Sequence, residues 1–158
     1  MTLNLANWQQ TSTVSLFVSD GEAEQEYRLT FATCSNLDIG VFKQRLGKIR
    51  TYLTETYGAE WLANEEANAI NGLMYVHAII MSSLKQVEQR QGEEWIVAKL
   101  PDAWYNAESF AKEVPAGLTD TLLDAVFDAG NSPRLFSLLP GADDEKKVLR
   151  LTVKPSEN

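Results

Sequence analysis

An uncharged stretch of 18 residues, from Ala67 to Leu84, constrains the fold of this chain more than any other feature. Its length approaches that of a membrane-spanning helix, which needs about 20 apolar residues. The stretch nevertheless carries polar side chains along its length, namely Asn68, Asn71, His77, Ser82 and Ser83. Burying these groups in lipid without hydrogen-bond partners is costly. The stretch therefore predicts a helix buried inside a folded domain rather than a membrane span.

Two amphipathic patterns predict a central helical hairpin. Ser35 and Asp38 resemble a capping pair at the start of the first helix, and Gly58 suits the position just past its end. The second helix is predicted to begin near Asn64 and to stop at Gly92. Apolar residues of the first helix recur at steps of three and four, at Ile39, Phe42, Leu46, Ile49 and Leu53. The corresponding stripe on the second helix comprises Ile70, Leu73, Met74, His77, Ile80, Met81, Leu84 and Val87. Two helices that are each apolar on one side pack against each other.

Alternating apolar and polar residues predict a small antiparallel sheet. Residues 14–18 and 27–31 read as an N-terminal hairpin around Asp20 and Gly21, with a loop longer than a two-residue turn. A C-terminal strand over residues 148–153 is expected to join this hairpin, and residues 95–97 suit a short strand or an extended segment.

The prolines all lie after residue 90, in a zone that is predicted to be more irregular. A short helix is expected over residues 108–113. Thr119 is the predicted N-cap of a C-terminal helix that runs through Ala129 and is closed by Gly130. The predicted fold class is α+β, with the sheet packed against the helical hairpin and the C-terminal helix. We expect one domain over residues 1–153 and a flexible tail over residues 154–158.

Charge and cysteine content restrict the function. The net charge of −8 argues against a general binder of nucleic acid or of anionic membranes, which needs a basic face. Five of the eight net negative charges follow residue 90, and the helical middle is neutral. Cys34 is the one cysteine, so no intramolecular disulfide forms. Residues 1–10 lack the pattern of a signal peptide, and a cytoplasmic location is expected.

Candidate catalytic residues are few. His77 lies on the apolar stripe of the second helix, which favours a core or interface histidine over a general base or metal ligand. Cys34 precedes a helix start, where a thiolate is stabilised, yet no nucleophile motif surrounds it. A single histidine and a single cysteine cannot assemble a zinc cage. No phosphate-binding glycine loop, dinucleotide fingerprint or nucleophile elbow is found. We therefore predict no catalytic residue, no metal and no cofactor, and keep a small enzyme using Cys34 and His77 as an alternative.

Two charged groups are predicted to be solvated helix faces. The acidic group is a row with four-residue spacing, Asp120, Asp124 and Asp128, for which a cation site or an acidic docking strip is the alternative. The basic group is Lys43, Arg45, Lys48 and Arg50, for which docking onto an acidic partner is the alternative.

Aromatic and methionine residues point to protein binding. The tryptophans lie outside the strongest helical stripes, where they either anchor protein contacts or cap the ends of the core: Trp8, Trp61, Trp95 and Trp104. Methionine on the second helix suits adaptable contacts. The predicted partner-binding residues are Ile70, Met74, His77, Met81, Trp104 and Tyr105.

Three segments together resemble tail assembly chaperones of long-tailed bacteriophages. They are the strand pair that ends in Tyr27-Arg28-Leu29-Thr30-Phe31, the helix entry from Leu37 to Phe42, and Pro115-Ala116-Gly117-Leu118 followed by Leu122 to Val126. The outline covers roughly residues 13–130, and the strand over residues 148–153 does not fit it.

The resemblance implies a non-catalytic role. Such proteins coat the long helical tape-measure protein and keep it in solution while the tail tube assembles. The chain is accordingly expected to be a protein-binding module, a chaperone or an adaptor, that forms a homo-oligomer and acts in the host cytoplasm. A structural virion component, such as a head-to-tail joining protein, is an alternative function.

Overall fold

A computed structural model of the protein describes residues 9–21 and 23–136. Its strands are β1 Thr11–Asp20, β2 Ala23–Ala32, β3 Leu84–Gln91 and β4 Glu94–Val97. Its α-helices are α1 Asn36–Tyr57, α2 Glu65–Ser83, α3 Ala107–Glu113 and α4 Ala116–Asp128. Short 3₁₀ turns cover Trp61–Ala63, Asp102–Tyr105 and Pro133–Phe136. The predicted α+β class is confirmed, because a four-stranded antiparallel sheet packs with these helices.

The N-terminal hairpin has a tighter turn than predicted. Asp20 pairs with Ala23, so only two residues separate the strands. Gly21 holds a φ of 69°, a left-handed conformation that glycine adopts without strain and that suits the first position of a type II′ turn. Residues 24–26, assigned to a loop by the sequence pattern, consequently belong to β2.

Local signals placed both ends of α1 correctly. The Ser35 side chain accepts a hydrogen bond from the Asp38 backbone, and the Asp38 side chain accepts one from the Ser35 backbone, so the predicted capping box is formed. At the other end, Gly58 caps the helix with a φ of 92°. The predicted stripe is the buried side of the helix, with Phe42, Leu46, Ile49 and Leu53 inside the core.

The second helix begins as predicted but ends earlier. Asn64 caps α2 by accepting a hydrogen bond from the backbone of Ala67. The helix stops at Ser83, and Leu84 and Val87 lie in β3 rather than on a helical stripe. Gly92 accordingly sits in the two-residue turn between β3 and β4, with a φ of 66°, and is not a helix stop.

A bulge explains why β3 looks helical in sequence. Leu84 pairs with Phe31 and Val87 pairs with Leu29, while Thr30 pairs with Gln86, so Lys85 is an extra residue in the ladder. This extra residue puts two side chains three positions apart on the same sheet face. A spacing of three is typical of a helix, and the pattern therefore misled the prediction.

The sheet of the described residues contains one strand, β3, that the sequence pattern did not predict. Its order is β1-β2-β3-β4, and each neighbouring pair is antiparallel. The strand next to the N-terminal hairpin is thus β3, and the residues predicted as a short strand form β4. The predicted strand over residues 148–153, the domain boundary at 153 and the tail over 154–158 lie outside the described residues.

The C-terminal helix starts one turn before the predicted cap. Pro115 occupies the N-cap position of α4, and the Thr119 hydroxyl donates to the Pro115 carbonyl from inside the first turns. Proline suits a helix start because its fixed φ fits the entry and its missing N–H is not needed there. The predicted short helix is confirmed as α3.

The core lies between one sheet face and the helices. Tyr27, Leu29 and Phe31 of β2 face inward, and α2 packs against α1, α3 and α4. Phe42 of α1 meets the ring of Tyr75 edge-on at 5.6 Å and that of Phe136 at 5.2 Å. Among the helices of the described residues, none is long and apolar enough to cross a membrane. Residues 67–83 of the uncharged stretch lie in α2, whose later turns are buried in the core, as predicted.

Candidate functional site

A cleft of about 280 Å³ opens between α1, α2 and residues 105–108. Its α1 wall is formed by Arg45, Lys48, Ile49 and Tyr52. These residues share one side of the helix, because positions three and four apart are neighbours on a helix surface. The α2 wall is formed by Met74, His77 and Ala78. The segment that leads into α3 closes the third side with Tyr105, Asn106, Ala107 and Glu108.

His77 fastens the third wall to α2. Its Nε2 lies 2.8 Å from the backbone carbonyl oxygen of Trp104, and since that oxygen only accepts, Nε2 carries the proton. The ring also packs on Phe110 of α3, with 4.8 Å between ring centroids. Burial lowers the pKa of His77, only partly offset by this hydrogen bond, so the imidazole is neutral near pH 7.

The predicted partner-binding residues divide between the cleft and the core. Met74, His77 and Tyr105 meet in the cleft, and Tyr105 is the most accessible of them, with 44% of its surface exposed. Ile70 and Trp104 are buried in the core, and Met81 is half-buried against it.

Arg45 brings an unusual guanidinium to the cleft. Its side chain is partly buried, and its Nη1 atom is shielded from solvent without a hydrogen-bond acceptor among the described residues. Burial lowers the pKa of Arg45. The group nevertheless stays charged, because an arginine titrates far above neutral pH. A buried donor without an acceptor costs roughly 1–3 kcal/mol.

Glu108 is the carboxylate of the cleft, and it is already engaged. Lys112 donates to it at 2.8 Å, and Tyr52 also donates to it. The bonds from Lys112 and Tyr52 lower the pKa of Glu108. Burial, together with the bond to Glu108, raises the pKa of Tyr52, so this phenol is neutral at physiological pH. The cleft therefore combines two cations, one satisfied carboxylate and neutral aromatic groups.

Sequence reasoning missed the role of Arg45 and Lys48. The sequence analysis grouped both with Lys43 and Arg50 as one solvated basic face. In the structure Arg45 and Lys48 line the cleft, whereas Lys43 and Arg50 are exposed and do not line it. The available signal was the spacing of Arg45, Lys48 and Tyr52, which follows the edge of the apolar stripe of α1.

Cys34 lies at a different place. Its Sγ donates to the Ser82 carbonyl at 3.5 Å, and burial raises the pKa of the thiol to about 11. At neutral pH the sulfur is thus a thiol rather than the nucleophilic thiolate. Within the part of the chain that the structure describes, no hydrogen bond joins Cys34 to His77. This arrangement gives a Cys34–His77 dyad no support.

The remaining charged and aromatic candidates lie apart from the cleft. Asp120, Asp124 and Asp128 are exposed along α4, as predicted. In residues 9–21 and 23–136, no three His, Cys, Asp or Glu side chains group closely enough to hold a metal ion. Trp95 is half-buried and stacks under the Arg28 guanidinium at 4.5 Å, Trp61 is half-buried against the core, and Trp8 lies outside the described residues.

Comparison with protein-family models, with curated proteins and with solved structures found no match for this chain.

Proposed function

We propose that this chain is a non-catalytic protein-binding module that binds a helical element of a partner protein across α1 and the cleft. The observation that carries the proposal is a continuous surface on α1, here named the α1 stripe, which runs into the cleft. It consists of Leu37, Val41, Arg45, Lys48 and Tyr52. These residues recur at steps of three and four, which keeps them on one side of the helix over about 22 Å.

The α1 stripe offers apolar area to a partner. Leu37 is 76% exposed and Val41 is also exposed, although both are apolar. Across the cleft, Leu73 of α2 is exposed one turn before His77. An amphipathic helix that lies in an apolar groove makes contacts of this kind at every third or fourth residue.

A role as a phage tail assembly chaperone or adaptor is our proposal for the biological setting. It is supported by the segments that resemble those proteins and by the exposed apolar residues of the α1 stripe, Leu37 and Val41, which suit a long helical protein of the tape-measure type. Like charges on a chain with a net charge of −8 would keep a multi-copy complex dispersed in the host cytoplasm.

Substitution on the α1 stripe tests the binding function. Val41→Asp places a charge in the middle of the stripe and should weaken binding of a synthetic amphipathic helical peptide at least about tenfold, because the partner helix would desolvate the carboxylate and the carboxylate would compete for the guanidinium of Arg45 one turn away. Val97→Asp is the matched control, since Val97 is 73% exposed on β4 and outside the stripe. Calorimetric titration of both variants gives the two affinities. Equal effects of the two substitutions would contradict the proposed surface.

Co-expression tests the chaperone role. A long helical protein of the tape-measure type, which aggregates when made alone, should stay in solution when made together with this chain. The Val41→Asp variant should lose this effect. A partner that aggregates equally with and without the wild-type chain would rule the chaperone role out.

A further inference from the structure

We infer that the cleft selects a partner helix that carries a carboxylate beside an apolar side chain, with Arg45 and Lys48 holding the carboxylate. This inference rests on the proposed binding function and adds the chemistry by which the partner is recognised.

The guanidinium of Arg45 is the first argument. It is held at the wall of the cleft, and its Nη1 lacks an acceptor among the residues that the structure describes. A guanidinium presents parallel N–H groups that match the two oxygens of a carboxylate. A carboxylate entering the cleft would meet the accessible part of this half-buried guanidinium, and it would reach the shielded Nη1 once the side chain rotates.

The charge around the cleft is the second argument. The titratable groups that line it are Arg45, Lys48, Tyr52, His77, Tyr105 and Glu108. The imidazole and the Tyr52 phenol are neutral near pH 7, and Glu108 is already bound by Lys112 and Tyr52. Asp38, one further acid on α1, is bound by Lys85 and Ser35, and its charge also acts on Arg45, where it raises the pKa of the guanidinium against the larger effect of burial. The cleft thus keeps a cationic excess on a chain that is acidic overall, which favours an anionic ligand.

The apolar walls specify the rest of the ligand. Ile49, Met74 and Ala78 line the cleft beside the cations. Its volume of about 280 Å³ exceeds the roughly 150 Å³ of a cavity that accommodates benzene. One aromatic or branched side chain and an adjacent carboxylate therefore fit together.

The α1 stripe favours a peptide over a free small acid. Leu37 and Val41 continue the surface beyond the cleft by two turns of helix. A small acid would leave this exposed apolar area unused, whereas a helix that anchors in the cleft would cover it.

A pair of synthetic amphipathic helical peptides tests the inference. One carries a glutamate beside a phenylalanine on its apolar face, and the other carries glutamine in place of that glutamate. Wild-type protein should bind the glutamate peptide about tenfold more tightly, and added salt should reduce the difference. In Arg45→Gln most of this preference should be lost, and the remainder is expected from Lys48. Lys43→Gln, at an exposed position of the same helix outside the cleft, should preserve the preference.

Lys48→Gln is a further cleft variant, and it keeps the test informative if Arg45→Gln does not fold. Lys48 is exposed, so Lys48→Gln leaves the packing intact and should reduce the preference less than Arg45→Gln does. Equal binding of both peptides to wild-type protein would overturn the carboxylate inference and leave the binding function standing. No binding of either peptide would overturn both. Binding of phenylacetate in the cleft without binding of the peptides would overturn the peptide partner.

Discussion

At the scale of single residues, Asn131 connects three elements of the fold. Its side chain is 3% exposed, and its Nδ2 donates to the carbonyls of Ala32 and Val126 and to the Ser83 hydroxyl. Its Oδ1 accepts from the backbone of Cys34 at 2.7 Å. The ends of β2, α2 and α4 thus meet at one amide, although nothing in the sequence around Asn131 signals this role.

Asn131→Asp should strongly destabilise the protein. A carboxylate cannot donate, so it would face two carbonyl oxygens as a buried and poorly compensated charge. The free energy of unfolding should fall by roughly 3 kcal/mol or more, measured by urea titration at pH 7. Asn36→Asp is the control, because Asn36 is exposed at the start of α1, where an acid is tolerated. A loss in Asn131→Asp as small as in the control would contradict this account of the amide.

The stability of the protein should depend on pH through His77. Burial lowers the pKa of His77 in the folded state, whereas the unfolded chain titrates with a pKa near 6.5. Between these two values the unfolded state binds more protons, so the free energy of unfolding falls as the pH drops below about 6.5. Urea titrations between pH 7.5 and pH 5.5 would measure this slope.

His77→Gln isolates this contribution. His77 is the only histidine, and glutamine does not titrate. The unfolding free energy of the His77→Gln variant should be lower than that of the wild type at pH 7.5. It should also change less between pH 7.5 and pH 5.5. An unchanged slope would show that another group causes the pH dependence.

At the scale of elements, the sequence-based prediction differs most from the structure at the junction of α2 and β3. Asn64, the capping box and Gly58 were predicted correctly, because a cap depends on a few neighbouring residues. The end of α2 was not, because it depends on pairing with β2, which lies more than fifty residues away in sequence. Because of the bulge at Lys85, the spacing of Leu84 and Val87 fits a longer helix as well as a strand.

Deletion of Lys85 tests the bulge. Without Lys85, Gln86 still opposes Thr30 and Val87 still opposes Leu29, so the deletion converts the bulge into a regular ladder. The expected loss in unfolding free energy is about 1 kcal/mol or less, close to that of the surface ion pair with Asp38.

Deletion of Glu88 is the contrasting variant. It shifts the register after Val87 by one residue, which turns the following side chains to the opposite face and removes the ion pair with Arg28. Urea titration should show a much larger loss than for Lys85. Similar losses in the two deletions would mean that β3 tolerates no change in length and that the bulge has no special role.

At the scale of the whole molecule, the sequence indicated the class of fold but not the site. Hydrophobic periodicity predicted the layers, because it reports which side of an element is buried. The cleft needs α1, α2 and residues 105–108 to meet, and the bond from His77 to Trp104 connects the last of these to α2. The sequence showed a helical middle without net charge, and it did not show that Arg45 and Lys48 line the cleft there.

The absence of any linker between α2 and β3 has a mechanical consequence. Ser83 ends the helix and Leu84 begins the strand, so no loop residue separates the two elements. His77 lies on α2, and Arg90 lies on β3, where it pairs with Trp95 of β4. We expect a ligand that displaces α2 in the cleft to change the fluorescence of Trp95 as well, because β3 follows the helix without intervening residues.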